Sequence, residues 1–360
     1  MKRDIIEVSK KLLELVNQNQ DSVLVTVIES TGSTPREKGA RMIVTKKGRI
    51  SGTIGGGTIE YLAQKQGQIC LQEKRSCTKD YNLSPNEVAD LGMICGGKVK
   101  ILFQYIDPKQ QGLAEMFTHL IELLETNQHF WFLSSIDNEQ NAHFLVYNDE
   151  VELYGGAKEA EETEETKETK ETKETEEVIV GNRKENLRYL KEKSMNYFIE
   201  EFIPQGKVYI FGGGHVSQAL VPILRELDFR CVVLEDREDF LTEDAFPTAN
   251  ERIQVDFKAI AEKITPTEKD YAVVITRSHQ FDYELQKQLL ATPIYYIGVM
   301  GSKRKTATQK ESLKKEGYSQ KDIKRINMPI GINIKAETLK ELAISISAEL
   351  ILKRADRNGK

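Results

Sequence analysis

The chain has 360 residues, enough for two domains each with its own core, and it contains no apolar run long enough to cross a bilayer. Its formal charge of −5 is concentrated between Lys158 and Glu177, where ten Glu and four Lys give −6 and leave the remainder near +1, so no basic surface for nucleic acid is indicated. Cys70, Cys77, Cys95 and Cys231 form no Cys-x-x-Cys pair and no regular spacing, which excludes a disulfide framework or structural zinc site as an expectation and leaves any special cysteine to act singly.

The N-terminus, Met-Lys-Arg-Asp-Ile-Ile-Glu, places an acid early and lacks a signal-peptide core, so a cytoplasmic protein is expected. Ile5, Val8, Leu12, Leu15 and Val16 recur at helical spacing, and a strand from Ser22 to Glu29 follows. The charged loop Ser30–Gly39 then leads into a predicted hairpin, Ala40–Thr45 and Arg49–Thr53, turning at Lys47-Gly48. Its second arm runs into Ile54-Gly-Gly-Gly-Thr-Ile-Glu60 before a predicted helix, and Arg36, Lys38 and Arg41 could give a phosphate at Gly55, Gly56 and Gly57 a cationic rim; a solvated loop is equally consistent.

Leu91-Gly-Met-Ile-Cys-Gly-Gly97 puts the Cys95 thiol beside two glycines before a strand. Free amides there would lower the thiol pKa and suit a soft-metal ligand or sulfur acceptor; a small buried apolar residue is the equal alternative. Val99, Ile101, Phe103 and Tyr105 alternate as a half-buried strand, and Leu113, Met116, Phe117, Leu120, Ile121 and Leu124 mark an amphipathic helix. The stretches 129–136, 142–147 and 150–154 read as a small antiparallel meander, making this half α+β. The Glu-Thr-Lys repeat has nothing apolar to bury and reads as a spacer. The expected division is therefore an N-terminal α+β domain over 1–156, an acidic low-complexity linker over 157–178 and a C-terminal domain over 179–360.

In that C-terminal part, strands predicted at Val208–Phe211, Arg230–Glu235, Tyr271–Thr276 and Ile294–Val299 alternate with helical stretches, which implies a Rossmann-like parallel sheet in an α/β domain. The first strand ends in Phe211-Gly-Gly-Gly-His215 and feeds a helix whose apolar face is Val216, Leu220, Ile223, Leu224 and Leu227. Such a turn at Gly212, Gly213 and Gly214 presents helix N-terminal amides to an anion. The second strand ends in Glu235-Asp236, where a dinucleotide fold places its ribose acceptor, while Arg237 leaves NAD and NADP both open. Ser217 stands at the third glycine position of the fingerprint. Ligands of open parallel sheets gather beyond the strand ends, so His215, Asp236 with Arg237, Arg277 to Asp282 including His279, and Gly301 to Lys305 are the candidate lining; three cations at a helix start call for an anionic ligand. Thr338-Leu-Lys-Glu341 reads as a capping box opening the last helix. There is no Gly-x-Ser-x-Gly elbow, His-Glu-x-x-His or Walker lysine.

Taken in order, Gly32-Ser-Thr-Pro-Arg36, Gly55-Gly-Gly-Thr-Ile-Glu60, Met93-Ile-Cys-Gly-Gly97, Phe211-Gly-Gly-Gly-His-Val216, Glu235-Asp-Arg237, Thr276-Arg-Ser-His279, Gly298-Val-Met-Gly-Ser-Lys-Arg-Lys305 and Pro329-Ile-Gly331 resemble the xanthine dehydrogenase accessory protein family, XdhC/CoxI. The resemblance implies a maturation chaperone, not an established catalyst, that binds molybdenum cofactor (molybdopterin). Such a chaperone protects the cofactor during sulfuration by a cysteine desulfurase and inserts it into a molybdenum hydroxylase of the xanthine dehydrogenase type. It further implies that Gly212–Gly214 hold the pterin phosphate or a pyrophosphate, that His215, Arg277 and His279 orient it, and that Cys95 approaches the molybdenum; a homodimer is the expected assembly. Thr58 stands where the family often has cysteine, and Ser278 where it often has glycine. The alternative is an NAD(P)-dependent oxidoreductase with His215 or His279 as proton donor.

Overall fold

The structure is a computed structural model that describes residues 2–32, 36–82, 97–136, 142–148, 152–153, 187–190 and 195–357. Two compact units divide the chain at Pro204/Gln205. Among the described residues no helix is long and apolar enough to cross a membrane.

The first unit opens with α1 (Lys2–Asn17), whose Ile5, Val8, Leu12 and Leu15 are buried on one face, as the periodicity predicts. Then come β1 (Ser22–Thr31), β2 (Arg41–Thr45), β3 (Gly48–Gly52), α2 (Gly57–Glu73), β4 (Cys77–Asn82) and β5 (Lys98–Ile106). These strands form an antiparallel sheet ordered β3-β2-β1-β5-β4. Alternation along β1 separates two cores: Val23, Val25 and Val27 pack with Ile59, Ala63 and Cys70 of α2, while Leu24 packs with α1. Next follow α3 (Leu113–Thr126), β6 (Phe130–Ser135), β7 (Phe144–Tyr147), β8 (Glu152–Leu153), β9 (Leu187–Leu190) and β10 (Met195–Phe202). Their strands make a second antiparallel sheet, β8-β7-β6-β10-β9, whose Phe130, Phe132 and Phe144 join the core of α1 and α3. The α+β expectation for this half holds.

The placement of β9 and β10 differs from the expected start of the second domain at residue 179. Both strands lie in the first unit, because β10 pairs along β6 from Tyr197↔Ser135 to Phe202↔Phe130 and buries Tyr197 and Phe198 there. The 157–178 stretch lies outside the described residues.

The second unit contains β11 (Lys207–Phe211), α4 (His215–Glu226), β12 (Arg230–Glu235), β13 (Glu251–Gln254), β14 (Tyr271–Val274), α5 (His279–Leu290), β15 (Tyr296–Val299), α6 (Lys303–Lys315), α7 (Gln320–Lys324), β16 (Ile326–Asn327) and α8 (Leu339–Arg357). Its six strands are all parallel, ordered β13-β12-β11-β14-β15-β16. Counted within the unit this is 3-2-1-4-5-6, the order of a Rossmann fold. Val208 and Ile210 face a core with Leu220 and Leu224 of α4 and Ile346 and Leu350 of α8, while Tyr209 and Phe211 face Leu285 and Leu289 of α5 and Leu313 of α6. Each such fully buried aliphatic side chain contributes about 2 kcal/mol. The Thr338 and Glu341 capping box forms as expected, each side chain accepting the other's amide at 3.2 and 2.9 Å.

Candidate functional site

In this strand order the chain reverses direction across the sheet between β11 and β14, and the crevice beyond their carboxyl ends is where open α/β sheets take ligands. The glycine turn falls there, and its three glycines answer to different constraints. Gly212 has φ +116°, and a Cβ on it would overlap the Ile275 carbonyl oxygen at the end of β14. At Gly213 a Cβ would sit 2.7 Å from the Phe240 carbonyl oxygen, too close for any side chain. Gly214 is the exception: its backbone is extended, φ −75° and ψ 178°, and a Cβ would meet no atom within 4 Å. It caps α4, whose first-turn amides lack intrahelical acceptors. Ser217 is fully buried, consistent with a position that tolerates only a small residue.

The acids after β12 do more than the sequence indicates. Glu235, 2% exposed, accepts the Gly213 amide at 2.7 Å and is approached by Arg237 Nε at 2.9 Å and Arg277 Nη1 at 3.4 Å. Asp236 takes both terminal nitrogens of Arg277, one at 2.8 Å, and that bidentate pairing holds its carboxyl down at about 2. Each guanidinium also lies over a ring, Arg237 at 3.7 Å from the Phe240 centroid and Arg277 at 4.9 Å from that of Phe281. Asp236, Arg237 and Arg277 are thus one cluster tied to the glycine turn through Glu235. The expected ribose acceptors are engaged in it.

His215 and His279 occupy the first positions of α4 and α5, the helices after β11 and β14, and both are exposed. Ser278 caps α5 by accepting the Gln280 amide at 3.2 Å. Asp282 is a buried structural residue: it accepts the Thr276 amide at 3.1 Å and hydroxyl at 2.6 Å and pairs with Lys305 at 2.6 Å. The conflict expected from three cations at the start of α6 is therefore relieved within the chain for Lys305; Lys303 and Arg304 stay exposed.

In the first unit the other glycine turn enters α2 with Gly55, Gly56 and Gly57 all at positive φ, 129°, 74° and 59°. Amides so arranged make an anion nest, and the nest is filled by Glu60. Its Oε2 accepts the Ile54 and Gly56 amides, each at 3.2 Å, and the Thr53 hydroxyl, while Oε1 pairs with Arg49 Nε at 3.0 Å. Glu60 and Glu235 are the residues that sequence reasoning missed as loop ligands. An acid in the first turn of α2 is the signal that could have found the first.

The expected cationic rim changes as well. Arg41 is buried, donates to the Gly39 carbonyl at 3.1 Å, pairs with Glu200 of β10 and lies 5.6 Å from the Phe132 centroid, so it serves the core. Burial pushes its guanidinium down to about 9. Arg36 is exposed, 4.0 Å from Asp4, and with Thr53 and Arg41 lines a cavity of about 140 Å³. Cys95 lies outside the described residues, and among those described no group of three or more His, Cys, Asp or Glu is assembled for a metal. Cys70 and Cys77, which form no pair motif in the sequence, have their sulfurs 3.3 Å apart.

A Rossmann domain with a glycine turn at its switch point, following an α+β domain, is the class of protein this geometry defines. Residues 208–350 match the XdhC Rossmann domain and residues 15–82 match the XdhC and CoxI family, and the chain belongs to the XdhC/CoxI family. It is 22% identical over 344 residues to a protein of Bacillus subtilis named as a probable subunit of xanthine dehydrogenase, covering 94% of this chain and 95% of that protein. It is 23% identical over 341 residues to the molybdenum cofactor insertion chaperone PaoD of Escherichia coli, covering 94% and 85%. A crystal structure described as a xanthine dehydrogenase from Bacillus halodurans has the same fold, with a TM-score of 0.73 at 24% identity over 97% of this chain and 96% of that one.

Proposed function

We propose that this protein binds the molybdenum cofactor and delivers it to a molybdenum hydroxylase of the xanthine dehydrogenase type. The observation that carries the reading is Gly214, glycine where neither backbone conformation nor a protein neighbour requires it, set over the amide-rich start of α4. A Cβ there would intrude only on a ligand, and the ligand suited to helix N-terminal amides is a phosphate. The Gly213 amide is taken by Glu235, so the phosphate, terminal or part of a pyrophosphate, docks on Gly214 and the first turn of α4. The names of the two relatives, one a cofactor insertion chaperone and the other part of a xanthine dehydrogenase, support the choice of a molybdenum pterin as cargo.

In this reading His215 and His279, one on each side of the switch point, and Arg277 orient the pterin, with Asp236 and Arg237 fixing Arg277. Gly55, Gly56 and Gly57 shape the first unit's own turn around Glu60, Arg36 stands beside Asp4, and Cys95 is the thiol for molybdenum or its exchangeable sulfur. A cysteine desulfurase supplies that sulfur, and the working assembly is a cytoplasmic homodimer. The test is saturable binding of molybdopterin by thermal shift, with NAD and NADP alongside, because a ligand that favours the folded state raises its stability with concentration. Binding of the pterin together with activation of a molybdenum-free hydroxylase is expected. Absence of both sinks the reading.

The 3-2-1-4-5-6 order with acids ending β12 favours a second reading, an NAD(P)-dependent oxidoreductase. It requires a thermal shift with NAD or NADP and hydride transfer to a small carbonyl compound, with no response to the pterin.

A further inference from the structure

Two cysteines seven positions apart meet in the first unit, at the end of α2 opposite its glycine turn. Cys70 lies in the last turns of α2 and is buried; Cys77 is the first residue of β4, the edge strand of its sheet, and is partly exposed. Their sulfurs are 3.3 Å apart and share one hydrogen bond. The Gln66 side-chain amide bridges the pair, 3.8 Å from Cys70 Sγ and 3.7 Å from Cys77 Sγ, and is itself held by Lys79 Nζ on its oxygen at 3.1 Å. The elements carrying the two thiols are joined by only Lys74, Arg75 and Ser76, and Lys74, in the left-handed conformation, returns its amide to the Cys70 carbonyl. A covalent bond between the sulfurs needs only a local approach to about 2.05 Å, with no rearrangement of the sheet.

The two thiols are unequal. Accepting the hydrogen bond from Cys70, with Gln66 beside it and Arg75 and Lys79 near, draws the Cys77 thiol below its usual value. Donating that bond, together with burial and the neighbouring Glu73 carboxylate, raises Cys70. Burial, with a smaller effect from the two nearby sulfurs, raises the Tyr81 hydroxyl. An accessible thiol that ionises readily, backed by a buried one in contact, is the division of labour of an attacking and a resolving cysteine.

We propose that Cys70 and Cys77 form a redox-active dithiol that reacts with small disulfides and closes into a bond stapling α2 to the edge strand β4. In the first step the Cys77 thiolate attacks one sulfur of the small disulfide, forming a mixed disulfide and expelling one thiolate. In the second, Cys70 loses its proton and attacks Cys77 Sγ, expelling the other thiolate. The small disulfide is reduced to two thiols and the protein loses two hydrogens.

The test treats the reduced full-length protein with oxidised glutathione and maps tryptic peptides without reduction. Expected is a species two hydrogens lighter in which Gln66–Lys74 is linked to Ser76–Lys79. Before oxidation, iodoacetamide at neutral pH should label Cys77 at least about tenfold faster than Cys231, a thiol that burial raises to about 12. Cys70→Ser should stop at a stable glutathione adduct on Cys77, and Cys77→Ser should leave Cys70 unmodified. A persistent glutathione adduct on Cys77 in the unaltered protein, no Gln66–Lys74 link to Ser76–Lys79, or equal labelling of Cys77 and Cys231 each overturns the proposal, and none of the three needs a variant to fold.

Discussion

A side chain at Gly212 would overlap the Ile275 carbonyl at a φ of +116°, whereas one at Gly214 would enter open space from an extended backbone. Gly212→Ala should therefore cost about 3 kcal/mol or more in urea unfolding. Gly214→Val should leave the unfolding curve within about 0.5 kcal/mol yet abolish pterin binding, since its cost falls on the ligand alone. The Asp236–Arg277 pair makes a second claim at this scale. Its carboxyl sits near 2 in the folded chain, below the usual value of 3.8, so its contribution is complete above pH ~4 and is lost as pH falls from there through 2. Arg277 is 40% exposed, and after solvent screening the pair is worth about 1 kcal/mol. The stability difference between the unaltered protein and Arg277→Met, followed by denaturation from pH 6 to 2.5, should shrink over the lower part of that range. A difference that stays constant would show that the pairing is not the source.

At the scale of elements, both glycine turns are finished by a carboxylate from within the chain. Glu60 fills the nest before α2 from the helix's own first turn, and Glu235 reaches the turn before α4 from the neighbouring strand. Because an unpaired buried amide costs about 1–3 kcal/mol, an internal acid lets each turn hold its shape before any ligand arrives. Asp282 does related work for the loop after β14, binding Thr276 on one side and Lys305 of α6 on the other. Asp282→Ala leaves a nearly buried ammonium without its partner and should cost about 3 kcal/mol by chemical denaturation. Adding Lys305→Met should recover part of that loss, a non-additivity that separates the ion pair from simple loss of packing.

For the molecule as a whole the decisive feature is where the first unit stops. β10 supplies the central pairing of the second sheet and brings Glu200 to the buried Arg41. A fragment of residues 1–204 should fold with a cooperative transition, while 1–178 should not, because it buries Arg41 uncompensated and leaves one edge of β6 unpaired. Circular dichroism of the two fragments on heating distinguishes them; cooperative melting of 1–178 would place the boundary at the acidic stretch after all. The periodicities that reveal α1, α3, β5 and β11 are local and strong. β10 is harder to read because Glu200 and Glu201 stand in it, and Glu200 pairs with an arginine 159 positions away.

The sequence by itself determined the α/β class of the second unit, the α+β character of the first, and the glycine turn at Gly212, because apolar period and the absence of a side chain are properties each residue carries with it. It also carried the ordered motifs of the XdhC/CoxI family. Only the tertiary structure decided that Glu235 completes the turn before α4, that Arg41 and Asp282 serve the core, and that Cys70 meets Cys77. Each depends on the partner that the folded backbone brings within hydrogen-bonding distance, and spacing along the chain does not encode that partner.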